Sequence, residues 1–302
     1  MKLKVLIIRP SALGDTLMLM PAIAQLRLST EMILIGRSPG IDIVKPYVGA
    51  CIDFEGPGWH KLFLENIEGA HALPIPTVHK IVAFLGDPDG RVNNNLMGIM
   101  PTASVHIFPA FPSRDEKIHV ALYLAQCLQK AGLAIDPGKS IKEACIGPLF
   151  ENGDQSTDKG GVIFHPGSGG RNKNFPPDLW LELSKRMGEH YPDERFIFLF
   201  GPAEEYSYAF FKKCLSNEEV EIIFSPEREK LLSLLKHAPL YIGHDSGITH
   251  LSAMTGTPTI ALFKNSPVNQ WRPLGPAVVV IENGGDRFGL MMEILQETKG
   301  FL

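Results

Sequence analysis

Cysteine is scarce in this sequence, and the few that occur do not pair by spacing. There are four in 302 residues, Cys51, Cys127, Cys145 and Cys214, far apart and without a C-x-x-C motif. The spacing gives no disulfide framework. Because each cysteine has aliphatic neighbours, we expect all four to be reduced thiols in the core of a cytosolic protein.

Long hydrophobic runs and an excess of one charge are also missing. No run approaches the roughly 18 apolar residues of a membrane span, and the apolar run before Arg9 is too short for a signal peptide. The net charge of −4 creates no field that would gather nucleic acid. We therefore expect a cytoplasmic protein without a nucleic-acid partner, with at most peripheral contact to a membrane.

What is present indicates a globular chain of two α/β domains. Hydrophobic residues make up 44% of the 302 residues and charged residues 21%, and this length suits two domains better than one. Strands and helices alternate in the first half, as in a doubly wound parallel sheet. The predicted strands are 4–8, 32–35, 81–84 and 105–107, and the predicted helices are 15–28, interrupted by Pro21, and 119–131.

The second half repeats this alternation after a polar stretch between Ile135 and Gly160. The boundary is placed in that stretch, which gives domains 1–155 and 156–302, and two such halves predict a central cleft between them. The predicted strands are 161–165, 196–200, 221–224, 240–243 and 259–263, with helices at 178–190, 203–215, 229–237, 247–255 and an amphipathic 288–298.

A glycine-rich loop follows the buried strand that ends at His165. It contains Ser168, Gly169, Arg171 and Lys173 and leads into a helix. Glycines let backbone N–H groups approach a phosphate, and the positive end of the helix adds to the field. The loop predicts a diphosphate site, although a plain strand-to-helix turn with solvated charges fits the pattern too. It is not a Walker loop, because the motif G-x-x-x-x-G-K-[ST] is absent.

A second polar turn, Asp245, Ser246 and Gly247, follows the strand predicted at 240–243. Ligands of open α/β sheets bind at the carboxyl ends of strands, so this turn and the glycine-rich loop are expected to face one ligand if their strands are neighbours in the sheet. Helix capping by Asp245 or Ser246 is the simpler alternative. A metal site of His244, Asp245 and His250 is not expected, since His250 is placed two turns into the helix.

The third candidate segment follows the first strand and contains Arg9, Ser11, Gly14 and Asp15. An aspartate at a helix start is stabilised as an anion by the helix dipole, which suits a general base as well as a cap. This segment lacks G-x-G-x-x-G, which argues against a dinucleotide-dependent dehydrogenase. The D-x-D motif at Asp87 and Asp89 is interpreted as a turn.

In order and spacing, these three segments resemble glycosyltransferase family 9, the ADP-heptose:lipopolysaccharide heptosyltransferases with the GT-B fold. The resemblance lies in residues 8–15 with Pro21 downstream, residues 165–180, and residues 243–258. It implies two Rossmann-like doubly wound domains, the first binding the acceptor and the second the nucleotide sugar. A GT-B chain often ends in a helix that packs back on the first domain; a simple covering helix is the alternative here.

The resemblance also implies an inverting transfer of a heptose-type sugar from an ADP-linked donor to a lipopolysaccharide-core or other glycan acceptor. No cofactor and no metal are expected. Asp15 would be the base and Lys173 would stabilise the leaving group. The donor-side residues are Ser168, Gly169, Arg171, Glu204 at the ribose, Asp245, Ser246, Gly247 and His250. The acceptor-side residues are Arg9, Ser11 and Gly14.

One departure from the family concerns the acceptor. Many relatives carry a histidine after the aspartate, whereas this chain has Thr16 followed by four apolar residues, which predicts a more apolar acceptor side. Two alternatives to transfer stay open: a nucleotide-sugar epimerase or hydrolase, and a nucleotide-sugar-binding protein without transfer activity. The oligomeric state is left open.

Overall fold

The computed structural model describes residues 2–65, 73, 75–113, 115–150, 160–216, 220–282 and 286–302, without the side chain of Arg171. Its contacts divide the chain into two compact units, Met1–Lys142 and Glu143–Leu302. No helix within the described ranges has the length and apolarity that a membrane crossing requires.

The first unit contains a five-stranded parallel sheet in the order β3-β2-β1-β4-β5. The sheet was predicted except for β3, an edge strand whose four residues are all at least partly exposed, so it lacks the apolar run of a buried strand. The strands are β1 (Leu3–Ile8), β2 (Thr30–Gly36), β3 (Ala50–Asp53), β4 (Lys80–Phe84) and β5 (Ser104–Phe108).

Helices of the first unit are short, and the helix predicted at 15–28 is divided in two. Pro21 lies in the first turn of α2, where its missing N–H is tolerated. The helices are α1 (Leu13–Leu17), α2 (Met20–Leu26), α3 (Gly40–Val44), α4 (Arg91–Ile99), α5 (Val120–Lys130) and α6 (Pro137–Ile146), with 3-10 turns at Lys45–Tyr47 and Trp59–Phe63.

The second unit has a six-stranded parallel sheet in the order β11-β10-β9-β6-β7-β8. The strands are β6 (Val162–His165), β7 (Phe196–Phe200), β8 (Val220–Phe224), β9 (Tyr241–His244), β10 (Thr259–Phe263) and β11 (Val278–Glu282). The helices are α7 (Pro177–His190), α8 (Glu205–Cys214), α9 (Arg228–His237), α10 (Gly247–Met254), α11 (Val268–Trp271) and α12 (Arg287–Thr298), with 3-10 turns at Arg171–Lys173 and Pro202–Glu204.

Helix α12 contributes to the core of the second unit. Its buried residues Leu290 and Ile294 share a hydrophobic cluster with Phe164 and Trp180. At its start, the Arg287 guanidinium donates to the carboxylate and carbonyl of Asp178. Whether α12 also packs on the first domain stays a prediction.

The domain boundary predicted between residues 155 and 156 lies outside the described residues. The contacts place the division earlier, within α6, and so in the stretch that was treated as a linker. This helix escaped prediction because its buried stripe consists of small residues, Pro137, Ser140 and Ala144. The chain after it joins the second unit, since the Leu149 N–H donates to the Met254 carbonyl at 2.8 Å.

The expectation of four core cysteines is only partly correct. All four are free thiols, and Cys127 is buried while Cys51 is half-buried. Cys145 and Cys214 are exposed, because they lie on the outward faces of α6 and α8. Consecutive residues of a helix lie on different faces, so aliphatic neighbours in sequence do not show that a cysteine is buried. Ile146, next to Cys145, is itself exposed.

Candidate functional site

In both sheets, the strand order reverses at the pair formed by the unit's first and fourth strands. That pair is β1 and β4 in the first unit and β6 and β9 in the second. Open α/β sheets bind ligands outside the carboxyl ends of the strands at this reversal point. The loops after β1, β6 and β9 are the three segments that the sequence analysis singled out.

The glycine-rich loop after β6 passes very close to Glu204. A Cβ on Gly167 would lie 2.2 Å from the Glu204 Cδ atom, so a larger residue would require the Glu204 side chain or the loop to move. Gly169 is exposed, and a Cβ on it would meet nothing within 4 Å. The glycine at 167 therefore serves close packing, while the one at 169 keeps the outer backbone of the loop uncovered.

Ser168 is used inside this loop. Its side chain is buried, and its hydroxyl lies 2.6 Å from Asn174 Oδ1 and 3.0 Å from the Gly170 carbonyl. Arg171 opens the short 3-10 turn of the loop, and its side chain lies outside the described part. Ser168 therefore stabilises the loop through these internal hydrogen bonds. For its hydroxyl to bind a phosphate as predicted, one of them would have to break.

Lys173 and Asp245 form an ion pair at the carboxyl edge of the second sheet. The Lys173 Nζ lies 2.7 Å from Asp245 Oδ2, and His250 Nε2 lies 3.5 Å from Oδ1. The Asp245 side chain is only 5% exposed, whereas that of Lys173 is 38% exposed. Burial alone would raise the pKa of Asp245, but the bonds from His250 and Lys173 outweigh it and lower the pKa. The buried member is an anion, and the accessible member is a cation.

His244 anchors the far end of the glycine-rich loop. The Phe175 N–H donates to its Nε2 at 2.8 Å, and the ring stacks on Phe175 and meets the edge of Trp180. Burial, with the charge of His165 as a smaller cause, lowers the pKa of His244 to about 3, so the ring is neutral at neutral pH.

No group of three His, Cys, Asp or Glu side chains in the described ranges is arranged to hold a metal ion. His250 is the fourth residue of α10 and lies in its first turn, which corrects its predicted place two turns into the helix. Ser246 is the N-cap of α10, and its hydroxyl accepts from the Thr249 N–H at 3.3 Å. The capping interpretation of Ser246 is confirmed; Gly247 is the first helical residue.

A buried polar network connects β6, β9 and the turn before α8. His165 Nε2 lies 3.2 Å from Glu204 Oε2, which also accepts from the Gly201 N–H at 2.6 Å. On its other side, His165 Nδ1 lies 2.9 Å from the Tyr241 hydroxyl. Burial would raise the pKa of Glu204, but His165 and the Gly201 N–H lower it. Glu204 is therefore an ionised internal acceptor with one oxygen already engaged.

Two residues at the same edge were missed by the sequence analysis. Lys264 and Asn265 follow β10, next to β9 in the sheet. Asn265 Nδ2 donates to the Asn172 carbonyl at 2.5 Å, and Lys264 Nζ lies 3.4 Å from the Asn174 carbonyl. They hold the outer side of the glycine-rich loop. The rule that polar residues after a buried parallel strand reach the ligand edge could have identified them.

The loop after β1 contains a fully buried arginine next to the candidate base. Arg9 is 0% exposed; its Nε donates to the Asp15 carbonyl at 2.9 Å and its Nη1 to the Ala110 carbonyl at 2.8 Å. Asp15 is half-buried in the first turn of α1, and Ser11 and Gly14 are half-buried beside it. The guanidinium is enclosed by residues of its own unit, so the predicted contact of Arg9 with an acceptor would require it to be uncovered.

The apolar residues after Asp15 are also core residues. Thr16 is 0% exposed, as are Leu17, Met18, Leu19 and Met20. The expectation of a more apolar acceptor surface is therefore wrong. The D-x-D motif forms a turn as predicted: the Asp87 carboxylate accepts from the N–H groups of Val92 and Asn93 at the start of α4.

Comparison with known proteins agrees with this geometry. A lipopolysaccharide heptosyltransferase 1 from Campylobacter coli is 29% identical over 133 residues, 42% of this chain and 38% of the relative, so the match spans well under half of that protein. The structure of E. coli heptosyltransferase WaaC with ADP is similar with a TM-score of 0.72 at 16% identity, covering 99% of this chain and 100% of that one.

The E. coli ADP-heptose lps heptosyltransferase II gives a TM-score of 0.67 at 15% identity, covering 99% of this chain and 98% of that one. These likenesses confirm the predicted fold class, α/β with two Rossmann-like units of the GT-B type. The model of glycosyltransferase family 9 (heptosyltransferase) matches residues 118–287. The sequence motifs, the sheet order and this match lead to one conclusion: the chain belongs to glycosyltransferase family 9.

Proposed function

We propose that this protein transfers a heptose-type sugar from an ADP-linked donor to a lipopolysaccharide-core or other glycan acceptor, with inversion at the anomeric carbon. The observation that carries the proposal is the pair of Lys173 with the buried Asp245 at the reversal point of the second sheet. It presents an ammonium group where parallel sheets bind their ligands. The relatives described with ADP or as ADP-heptose transferases support adenine as the base.

On the donor side, the diphosphate lies between the glycine-rich loop and the start of α10. Free N–H groups of a helix N-terminus favour an anion, and Gly247 and His250 occupy that first turn. Lys173 supplies the charge that neutralises the leaving ADP, so no metal ion is needed there. Glu204 Oε2 is engaged by His165 and Gly201, which leaves Oε1 for a ribose hydroxyl.

On the acceptor side, Asp15 is the general base. The acceptor hydroxyl oxygen attacks the anomeric carbon, its proton passes to the Asp15 carboxylate, and the bond from the anomeric carbon to the diphosphate oxygen breaks. A single displacement of this kind inverts the anomeric centre. Base catalysis supplies roughly 10²–10⁴-fold, and the remaining acceleration comes from holding donor and acceptor together.

With a lipid-linked core saccharide as the acceptor, we expect the protein to act in the cytoplasm as a peripheral enzyme at the inner membrane. The half-buried Ser11 and Gly14 next to Asp15 are the proposed acceptor-side contacts. Neither a cofactor nor nucleic acid has a part in this reaction.

The test is a transfer assay with ADP-heptose and a panel of core-saccharide acceptors, in which the anomeric configuration of the product is read by NMR. The proposal predicts an acceptor-dependent product of inverted configuration. Rapid release of free sugar or of an epimer without acceptor would instead identify a hydrolase or epimerase. Tight ADP binding with no turnover on any acceptor would identify a binding protein. A thermal-shift comparison of ADP, UDP and GDP identifies the base.

A further inference from the structure

We propose that Arg9 is the positioning residue of Asp15: its buried guanidinium fixes the turn that carries the carboxylate and places a positive charge beside it. This inference rests on the proposed role of Asp15 as the base. It assigns Arg9 to the catalytic aspartate instead of to the acceptor. Three features of the first unit support it.

The first feature is the break between α1 and α2. In a continuous helix, the Asp15 carbonyl would accept from the Leu19 N–H four residues later. Here the Leu19 N–H donates to the Thr16 carbonyl instead, at 3.0 Å, because the chain turns before Pro21. The Asp15 carbonyl accepts from Arg9 Nε at 2.9 Å. Arg9 thus replaces the helical donor at the residue that carries the chemistry.

The second feature is the unfavourable setting of the Arg9 charge. The residue is 0% exposed, and none of the ion pairs in the described ranges includes it. Burial lowers its pKa to about 10, and the nearby charge of Asp15 acts in the opposite direction. Its Nη2 has no hydrogen-bond partner among the described residues. A buried, incompletely satisfied cation costs several kcal/mol, so a purely structural role is better filled by an apolar side chain.

The third feature is the geometry of the contacts. The planar fork bonds two carbonyls at once, those of Asp15 and Ala110, which are 95 residues apart in sequence. The rings of Phe84 and Phe111 have centroids 5.6 and 5.3 Å from the Arg9 Cζ atom, which holds the guanidinium in place. A lysine has the charge but not the fork. Substitutions at position 9 can therefore separate the effect of the guanidinium's two hydrogen bonds from the effect of its charge.

Arg37 provides a matched control. It follows β2 as Arg9 follows β1, and its Cζ lies 6.0 Å from the Phe54 ring centroid. Unlike Arg9, it is exposed and pairs with Glu55 at 2.5 Å. The same substitution at both positions compares a buried arginine bonded to the Asp15 turn with an exposed one that is not.

The experiment measures kcat, KM for ADP-heptose, ADP affinity and the pH profile of kcat for wild type, Arg9→Lys, Arg9→Met and Arg37→Met. For Arg9→Met we expect kcat to fall roughly 10- to 100-fold, because a small misplacement of a base costs this much. KM for the donor and ADP affinity stay within about twofold, since the ADP site is assigned to the second unit. The acidic limb of the profile moves to higher pH, because a carboxylate loses a neighbouring cation.

Arg9→Lys separates the two effects. In Arg9→Lys the acidic limb of the pH profile lies where it does in wild type, because the charge is retained. Its kcat is at least about fivefold below wild type, because the two hydrogen bonds of the guanidinium fork are lost. Arg37→Met behaves as wild type in all four readouts. Arg9→Lys also decides the question if Arg9→Met fails to fold.

The inference is overturned if folded Arg9→Met or Arg9→Lys keeps wild-type kcat. It is also overturned if kcat falls with an unchanged acidic limb in Arg9→Met and equally in Arg9→Lys, which is the result of a structural role alone. Failure of the wild type to bind ADP or to transfer heptose is a different result, and it overturns the proposed function itself.

Discussion

At the reversal point of its sheet, each unit buries one charged residue and leaves a residue of the opposite charge more accessible. In the first unit, Arg9 is 0% exposed and Asp15 is half-buried. In the second unit, the Asp245 side chain is 5% exposed and that of Lys173 is 38% exposed. The same edge of the same kind of sheet therefore offers an anion in one unit and a cation in the other.

This difference explains how one fold can serve both substrates of a transfer reaction. An accessible carboxylate suits removal of a proton from an acceptor hydroxyl, and an accessible ammonium suits a departing diphosphate. Arg9 bonds the Asp15 carbonyl and Asp245 bonds the Lys173 ammonium, so each buried residue is proposed to position the accessible one. The predictions below are designed to break or refine this division of roles.

The largest expected effect comes from removing the accessible carboxylate of the first unit. Asp15→Asn should lower kcat by roughly 10²–10⁴-fold, because an amide cannot accept the proton. The matched control is Asp89→Asn, which alters an exposed carboxylate of the same unit that lies 3.7 Å from Arg91, and it should transfer heptose at the wild-type rate. Steady-state kinetics with saturating donor measures both. If Asp15→Asn kept turnover within about threefold of wild type, Asp15 would not be the general base.

The next effect concerns the accessible cation of the second unit. Lys173→Gln should raise KM for ADP-heptose roughly 10- to 100-fold, since a hydrogen bond to a charged group contributes about 1.5–3 kcal/mol. Lys299→Gln, at the end of α12, removes a surface ammonium elsewhere and should leave KM unchanged. Wild-type kinetics in Lys173→Gln would mean that another group, such as Lys264, neutralises the diphosphate.

A smaller effect tests how the loop that presents Lys173 is held. Gly167→Ala places a methyl group 2.2 Å from the Glu204 side chain, and overpacking of this kind costs about 1–3 kcal/mol. Gly169→Ala has no neighbour within 4 Å and should change stability by less than about 0.5 kcal/mol. Urea denaturation of the two variants gives the comparison. Equal stability of the two variants would show that the loop or the Glu204 side chain moves to accommodate the methyl group at position 167.

The last effect is a pH dependence of stability that arises from His244 in the second unit. The pKa of His244 is about 3 in the folded protein and about 6.5 in an unfolded chain. Because the unfolded state binds the proton more readily, the contribution of His244 is complete above pH 6.5 and falls as the pH drops. The loss reaches about 2 kcal/mol at pH 5.

Urea denaturation at pH 7 and pH 5 measures this loss. The loss of unfolding free energy between pH 7 and pH 5 should be about 2 kcal/mol smaller in His244→Gln than in wild type. It should be unchanged in His190→Gln, which alters an exposed histidine at the end of α7. An identical pH dependence in wild type and His244→Gln would contradict the neutral, buried state of His244.

The sequence predicted the loops but not the pairs within them. Strand ends followed by glycine and charge are visible in a linear pattern, so the segments around Asp15, Lys173 and Asp245 were found. The contact of Lys173 with Asp245 joins residues 72 positions apart, and it depends on β6 lying beside β9, which no local pattern encodes.

Burial was the other property that the sequence did not reveal. Arginine is usually exposed, and nothing in the residues around Arg9 distinguishes it from a surface cation. The residues after Asp15 illustrate the same limit, because an apolar run beside a candidate base fits a core helix and an acceptor surface equally well. Helix α6 was missed for a related reason, since its buried stripe is made of small residues.

The division of roles between the two units is tested most directly by calorimetric titration of ADP into wild type, Asp15→Asn and Lys173→Gln. The account predicts wild-type affinity for Asp15→Asn and at least about tenfold weaker binding for Lys173→Gln. Weaker binding in Asp15→Asn, or unchanged binding in Lys173→Gln, would contradict it.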